Sequence, residues 1–184
     1  MQSSRPLVVI VSGAPGSGKT TLARRLADDI GHVFLSKDAV KERLADETRA
    51  ARTLAASRAV GGVAYEALFA GLAVHVAHGR GVVVESNFRR GLAEDELRRA
   101  IGDAPARVVH CWATATTIEH RYGSRAAARH PVHLDDVRID GVLDELRSGV
   151  YEPLDLAAET LSVSTEEGYR PSYERILAFV SGVA

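Results

Sequence analysis

One cysteine in 184 residues, Cys111, excludes an internal disulfide framework. No surplus of either charge exists: 23 Lys and Arg stand against 24 Asp and Glu, so no broad positive field draws the chain to duplex nucleic acid. No polybasic run suggests a membrane surface. The opening stretch MQSSRPLVVIVSG holds only a short apolar run before a glycine-rich loop, which leaves no signal peptide or membrane span to expect. Histidines occur without the Cys or carboxylate spacing of a zinc site: His75 and His78 lie in an apparent helix, and His130 and His133 flank Pro131 and Val132. Repeats, low-complexity tracts and an interdomain linker are absent as well. What these absences leave is a soluble cytoplasmic chain whose residues 1–184 form a single domain, a monomer or homodimer, with small or modest partners.

The apolar patterning is that of alternating strands and helices. PLVVIVS is a continuous β-branched run closed by glycines, the mark of a strand buried on both faces of a parallel sheet. Leu22, Leu26 and Ile30 then recur at helical spacing beside Ala23 and Ala27, with Arg24, Arg25, Asp28 and Asp29 on the wet face. HVFLS, GVVVES, ARVVHCWA and a weaker TLSVST read as further strands. Helices are expected from about Ala39 to Glu47, from about Thr53 to His78 with bending at Gly61 and Gly62, over AEDELRRAIG, over TTIEHRYGSRAAAR and over SYERILAFV. Such alternation predicts an α/β fold, a parallel sheet covered by helices on both faces. Cys111 and Trp112, at the end of the fourth strand, are expected to pack.

Between the first strand and the first helix, Gly13 to Thr20 fits G-x-x-x-x-G-K-[ST] completely and in the context that the motif requires. Gly13, Gly16 and Gly18 permit backbone angles and close approaches that let successive amides face phosphate oxygens, and Ala14, Pro15, Ser17 and Thr21 complete the cradle. Lys19 is expected on the β- and γ-phosphates and Thr20 on a magnesium ion. No N-K-x-D guanine reader follows the fourth strand, so ATP, or another purine triphosphate, with Mg2+ is the expected nucleotide.

A phosphate loop says nothing of the acceptor. Parallel strands end at one edge of the sheet, so Asp38, directly after the second strand, is placed over the transferring phosphate. There a carboxylate orients an alcohol and accepts its proton, although an aspartate at that position also serves as the cap of a helix beginning at Ala39. Lys41, one turn on, either meets an anionic group of the acceptor or faces water. Glu85 closes an apolar strand, where a charge demands compensation; it holds a magnesium-bound water or contacts the acceptor, and Asn87 orients Glu85 or substrate, or forms a turn. Arg52 on the long helical stretch, with Arg49, Arg58 and Tyr65, and Phe88, Arg89 and Arg90 after Glu85, line a pocket that suits a polar or anionic acceptor. Arg121, Arg125 and Arg129 are spaced by four and share a face on a continuous helix, an arrangement that suits a lid closing over phosphates, or simply a solvated face.

GAPGSGKTTLARRL, FLSKDAVKERL, VVVESNF and the arginine-bearing segment ending RHPVH resemble the small P-loop kinases grouped with chloramphenicol phosphotransferase, zeta toxins, and gluconate and shikimate kinases. The resemblance covers most of the chain. It implies a three-layer α/β/α sandwich of five parallel strands, nucleoside-monophosphate-kinase-like, with an arginine-bearing lid at about 121–138. It also implies Asp38 as catalytic base, with Lys19, Arg125 and Arg129 acting on the transferred phosphate. Arg121 and Arg125 would contact the nucleotide, Arg129 the acceptor side, and Thr165 would border the adenine. Relatives often carry aspartate where this chain has Glu85, whose extra methylene changes the reach. The expected activity is phosphoryl transfer to a hydroxyl of a small molecule such as a sugar, an antibiotic or another metabolite. Two alternatives stand beside it: a kinase of a nucleotide-linked sugar or nucleic-acid end, and a nucleotide-binding regulator that uses the loop as a switch.

Overall fold

The computed structural model describes residues 6–48, 53–125, 130–133 and 135–182, without the side chains of 125 and 135–138. Five parallel strands form its sheet: β1 (Val8–Ser12), β2 (Val33–Ser36), β3 (Val82–Glu85), β4 (Ala106–Trp112) and β5 (Glu159–Ser164), in the spatial order β2-β3-β1-β4-β5. β1 is thus central, with Val9 in register with Val83 on one side and Arg107 on the other. All five residues of β1 are buried, which is why its sequence is continuously apolar rather than alternating.

Helices cover both faces. Alternate strand residues choose between them, because successive side chains of a strand point to opposite sides. Val9, Val11, Val83, Cys111 and Val163 pack with Leu22 and Leu26 of α1 (Lys19–Ile30) and with Ile176 and Val180 of α7 (Tyr173–Ser181). On the other face, Val8, Ile10, Val82, Val84 and Val108 pack with Leu68 and Leu72 of α3 (Leu54–Ala77) and Leu97 of α4 (Glu94–Ile101). Each fully buried leucine contributes about 1.5–3 kcal/mol relative to exposure. A third cluster joins Ala14 and Ala113 to Ile118 and Tyr122 of α5 (Ala115–Arg125), Val142 of α6 (Asp135–Arg147), and Tyr151.

The structure departs from the sequence reading at several places. α2 spans Lys37–Thr48, so Asp38 lies within the first helical turn and does not cap a helix starting at Ala39. Its charge still favours that helix, since a carboxylate near a helix N-terminus meets the positive end of the dipole. α6 was not foreseen: DDVRIDGVLDELR has few apolar residues, and of those whose side chains are described Val142 alone is fully enclosed. Trp112 does not pack but is 45% exposed, because it stands at the last position of β4, beyond the helices' cover. α3 is long and apolar enough by length and composition to cross a membrane, but it packs on α2, α4 and β2 as part of a covering layer.

Candidate active site

The loop between β1 and α1 wraps over the carboxyl end of the sheet. Gly13, Gly16 and Gly18 have φ of 138°, 87° and 77°, a region that side chains rarely adopt. At Gly13 the requirement is doubled, because a Cβ there would stand 2.0 Å from the carbonyl oxygen of Cys111. The loop can approach β4 so closely only with glycine at that position. Buried Lys19 reaches back across the loop, its Nζ donating to the Ala14 carbonyl at 3.2 Å. The Ser17 hydroxyl is buried without a hydrogen-bond partner, and Thr20, next to Lys19 in the first turn of α1, is exposed.

Behind Lys19 stands Glu85, 2% exposed, with Oε1 3.8 Å from Lys19 Nζ and Oε2 accepting a 2.9 Å hydrogen bond from the Ser36 hydroxyl. Burial pushes the Glu85 carboxyl above its usual range; Lys19 and the Ser36 and Thr20 hydroxyls oppose that, and Asp38 adds to it. The glutamate is therefore held at the end of β3 facing the loop, where the sequence had placed it. Cys111 is a packing residue: burial pushes its thiol up to about 12, far from the range in which a thiolate would act as a nucleophile.

Beside the loop opens a cavity of about 310 Å3, lined by Pro15 of the loop, Lys37 and Asp38 of α2, Tyr65 and Phe69 of α3, Asn87, Arg89, Leu92 and Ala93 of the β3–α4 connection, and Tyr122, His133 and Tyr151. Asp38 shares it with the phosphate loop as the sequence predicted. Lys37 Nζ lies 3.6 Å from Asp38 Oδ1 and 5.3 Å from the centre of the Tyr65 ring. Tyr65 accepts at its hydroxyl from Ser86 Oγ at 2.9 Å and donates to the Asn87 carbonyl at 3.2 Å, fixing the ring against the end of β3. Burial, chiefly, raises the Tyr65 phenol above its ordinary value. Asn87 lines the cavity, and its Oδ1 is buried without a partner.

Lys41 is 2% exposed and does not face water. Its Nζ donates to Ser57 Oγ at 2.7 Å and to the Val132 carbonyl at 3.3 Å, tying α2 to α3 and to the 3-10 turn Pro131–His133. Two further ties run from that turn to α2: His133 Nε2 to Glu42 at 2.8 Å and His130 Nε2 to Asp46 at 3.0 Å.

Of the arginine row, Arg121 belongs to no solvated face. It donates to the Gly16 carbonyl at 3.1 Å and to Thr165 Oγ1 at 3.0 Å, while the Thr165 hydroxyl donates to the Ser17 carbonyl at 2.9 Å. Arg121 and Thr165 together brace the underside of the phosphate loop. Arg125 ends α5 with its side chain undescribed, and Arg52 and Arg129 lie outside the described residues. Sequence reasoning passed over Lys37, Phe69, Leu92, Tyr122, Tyr151 and Glu145. Their signal was weak because the helical or loop positions they occupy give no hint of which distant element they meet. No group of three or more His, Cys, Asp or Glu side chains that could hold a metal ion occurs among the described residues.

Comparison with known proteins bears on the family and the fold. A family model described as an AAA domain matches residues 8–148. The structure of a candidate kinase from Chloroflexus aurantiacus J-10-fl superposes with a TM-score of 0.86 at 32% identity, covering 98% of this chain and 99% of that one. A gluconokinase from Sinorhizobium meliloti 1021 shares the fold at a TM-score of 0.58 and 16% identity, over 98% of this chain and 94% of that one. A shikimate kinase from Acinetobacter baumannii, solved with shikimate, does so at 0.51 and 18%, over 97% and 95%. Among curated proteins, a cytidylate kinase of Ignicoccus hospitalis is 50% identical over 40 residues, and a shikimate kinase of Thermobifida fusca 52% identical over 46. These matches span 22% and 25% of this chain, and 23% and 26% of those proteins, so the chain covers about a quarter of the length of the curated relatives it matches.

Proposed function

This chain belongs to the AAA domain family, with a P-loop kinase fold, and from that premise we propose that it is an ATP- and magnesium-dependent phosphotransferase that moves the γ-phosphate to a hydroxyl of a small molecule in the cytoplasm. One observation carries the reading: the carboxylate of Asp38 and the phosphate loop, through Pro15, line the same cavity. A molecule held there has its hydroxyl between a base and the phosphate site.

The residues divide the work. The loop from Gly13 to Thr21 binds the phosphates through its amides, and Lys19 carries positive charge to the β- and γ-phosphates. Asp38 orients the acceptor hydroxyl and takes its proton as the oxygen–phosphorus bond forms, an arrangement that general-base catalysis requires within hydrogen-bond reach. Bound magnesium would supply charge neutralisation on the phosphates, with Thr20 as its hydroxyl ligand and Glu85 holding a metal-bound water. That Glu85 faces Lys19 and lies outside the cavity lining supports the metal role over acceptor contact. Asn87 and Arg89 line the acceptor side. Lys41 enters as the tie that positions the helix bearing Asp38. Arg121 and Thr165 hold the nucleotide side of the loop, and Arg125 and Arg129, on a lid at about 121–138, complete the charge stabilisation.

Incubation with γ-labelled ATP, magnesium and a metabolite mixture tests the reading. A labelled low-molecular-weight product is expected from the wild-type protein, and Asp38→Asn should reduce it by ~100-fold or more while ATP titration and the thermal melt stay near wild type. Phosphate release without a labelled product, or full transfer by a folded Asp38→Asn protein, would reject it.

A further inference from the structure

The ionisable groups of the acceptor cavity are arranged in pairs. Its described lining contains three basic side chains, Lys37, Arg89 and His133. Each is engaged by a carboxylate of the chain itself. Lys37 Nζ lies 3.6 Å from Asp38 Oδ1, and His133 Nε2 lies 2.8 Å from Glu42 Oε1. Arg89 Nη2 is bonded to Glu145 Oε1, and the other oxygen of the same carboxylate accepts the hydroxyl proton of Tyr151. Glu145 comes from α6 and does not itself line the cavity; it reaches Arg89 and Tyr151 from behind the wall. Apart from Asp38 and Asn87, the remaining lining is aromatic or apolar, with Pro15, Tyr65, Phe69, Leu92, Tyr122 and Tyr151 as its broad surfaces.

Among the described lining residues, those cations are the charged partners that a carboxylate-bearing acceptor would meet. Arg89 is the natural partner, since its fork matches a carboxylate in two bonds. One arm of that fork is already taken, Nη2 by Glu145 Oε1. An incoming anion would have to share Arg89 with Glu145 or displace it, and would stand in the same cavity as Asp38, a like-charge juxtaposition that discriminates against the wrong ligand. An uncharged molecule meets none of this. It gains ring faces to lie against, and its hydroxyl has the tyrosines, Asn87 and Asp38 as hydrogen-bond partners.

We propose that Glu145 sets the acceptor class: it fills Arg89 as an internal carboxylate, so that the cavity takes an uncharged, ring-bearing hydroxyl compound and refuses a sugar acid or other carboxylate. The proposal rests on the phosphotransferase reading above and narrows its acceptor. Glu145 acts through Arg89 and Tyr151 and is a specificity-determining residue with no role in the chemical step.

Probes paired so that charge is their main difference test it: shikimate against its methyl ester, and benzoate against benzyl alcohol, each titrated by ligand-observed NMR into the wild-type protein and Glu145→Gln. The neutral member of each pair should bind the wild type more tightly. In Glu145→Gln, with Arg89 released from its counter-charge, the carboxylates should gain about tenfold while the neutral probes change little. The double variant Arg89→Met/Glu145→Met removes cation and anion together; it should keep the wild-type preference and guards against a misfolded single variant, which a thermal melt would reveal. Carboxylates favoured by the wild type, an unchanged preference in a folded Glu145→Gln, or failure of every neutral probe to bind would overturn the proposal. ATP titration and the Asp38-dependent labelled product are read separately. Their loss would instead strike the phosphotransferase reading, whereas transfer to a carboxylate acceptor would leave that reading intact and remove this one.

Discussion

The phosphate loop draws its functional groups from one unbroken stretch, 13–21, whereas the acceptor wall collects its own from α2, α3, the β3–α4 connection, α5, the 3-10 turn and the segment after α6. The first works mainly through backbone amides, whose positions follow from the local angles of a few glycines. The second works through side chains, whose positions follow from how whole helices pack. A change in the loop should therefore remove a function outright, and a change in the wall should shift which molecule is served.

Lys19→Ala is the sharpest test on the loop side. Lys19 is the loop's charged side chain and also the counter-charge of buried Glu85. Phosphoryl transfer should fall by at least ~100-fold, with weaker ATP binding. Turnover near wild type in the labelled-product assay would show that the loop does not carry the transferring phosphate.

Arg121→Ala probes the seam between loop and tertiary structure. The guanidinium bonds the Gly16 carbonyl and Thr165, so its loss leaves the Gly16 carbonyl of the loop and the Thr165 carbonyl beyond β5 without this donor. Unfolding by urea should show a loss of about 2 kcal/mol, and ATP binding should weaken in step. If stability is untouched, the loop holds its shape alone and the contrast between the two regions is sharper than drawn here.

The smallest effect is expected at Glu94, which anchors the far end of the wall. Its Oε1 accepts the backbone N–H of Gly91 at 3.0 Å and of Asp155 at 3.1 Å, pinning the segment that carries Arg89 and Leu92 to the one that follows Tyr151. Burial pushes this carboxyl up, but the backbone hydrogen bonds more than offset it and the folded value lies below the ordinary 4.5. The stabilisation is thus present above the unfolded value and is lost as pH falls through the lowered folded one. Glu94→Gln should cost about 1 kcal/mol at neutral pH. Denaturation curves of the two proteins should converge in acid. A gap that widened on acidification would contradict the assignment.

The two regions were unequally legible. In PLVVIVSGAPGSGKTTL, apolar continuity, glycine placement and helical spacing all agree, so strand, loop and helix were read with their boundaries nearly right. Asp38 was also read, because a residue that follows a parallel strand must emerge at the same sheet edge as the loop. Arg121 was read as one of a row facing phosphates, yet the spacing of four could not tell a lid from a brace, and it contacts Thr165, which is far away in the sequence. Lys41 was read as meeting an anionic group of the acceptor or facing water, and it is buried between three elements. Glu145 gave no sign, since DDVRIDGVLDELR looks like any charged helix until it packs against Arg89 and Tyr151.

The sequence by itself determined the parallel α/β fold and the phosphate loop, because both depend on short-range rules: strand and helix periodicity, and the backbone freedom of glycine at positive φ. The tertiary structure alone decided which carboxylate meets which cation around the acceptor cavity. Apart from the sequence neighbours Lys37 and Asp38, those pairs join residues 56 and 91 positions apart, on different elements, and they form only after hydrophobic burial has fixed the helices against the sheet. Glu145 beside Arg89 is a consequence of that packing, and no local property of either residue foretells it.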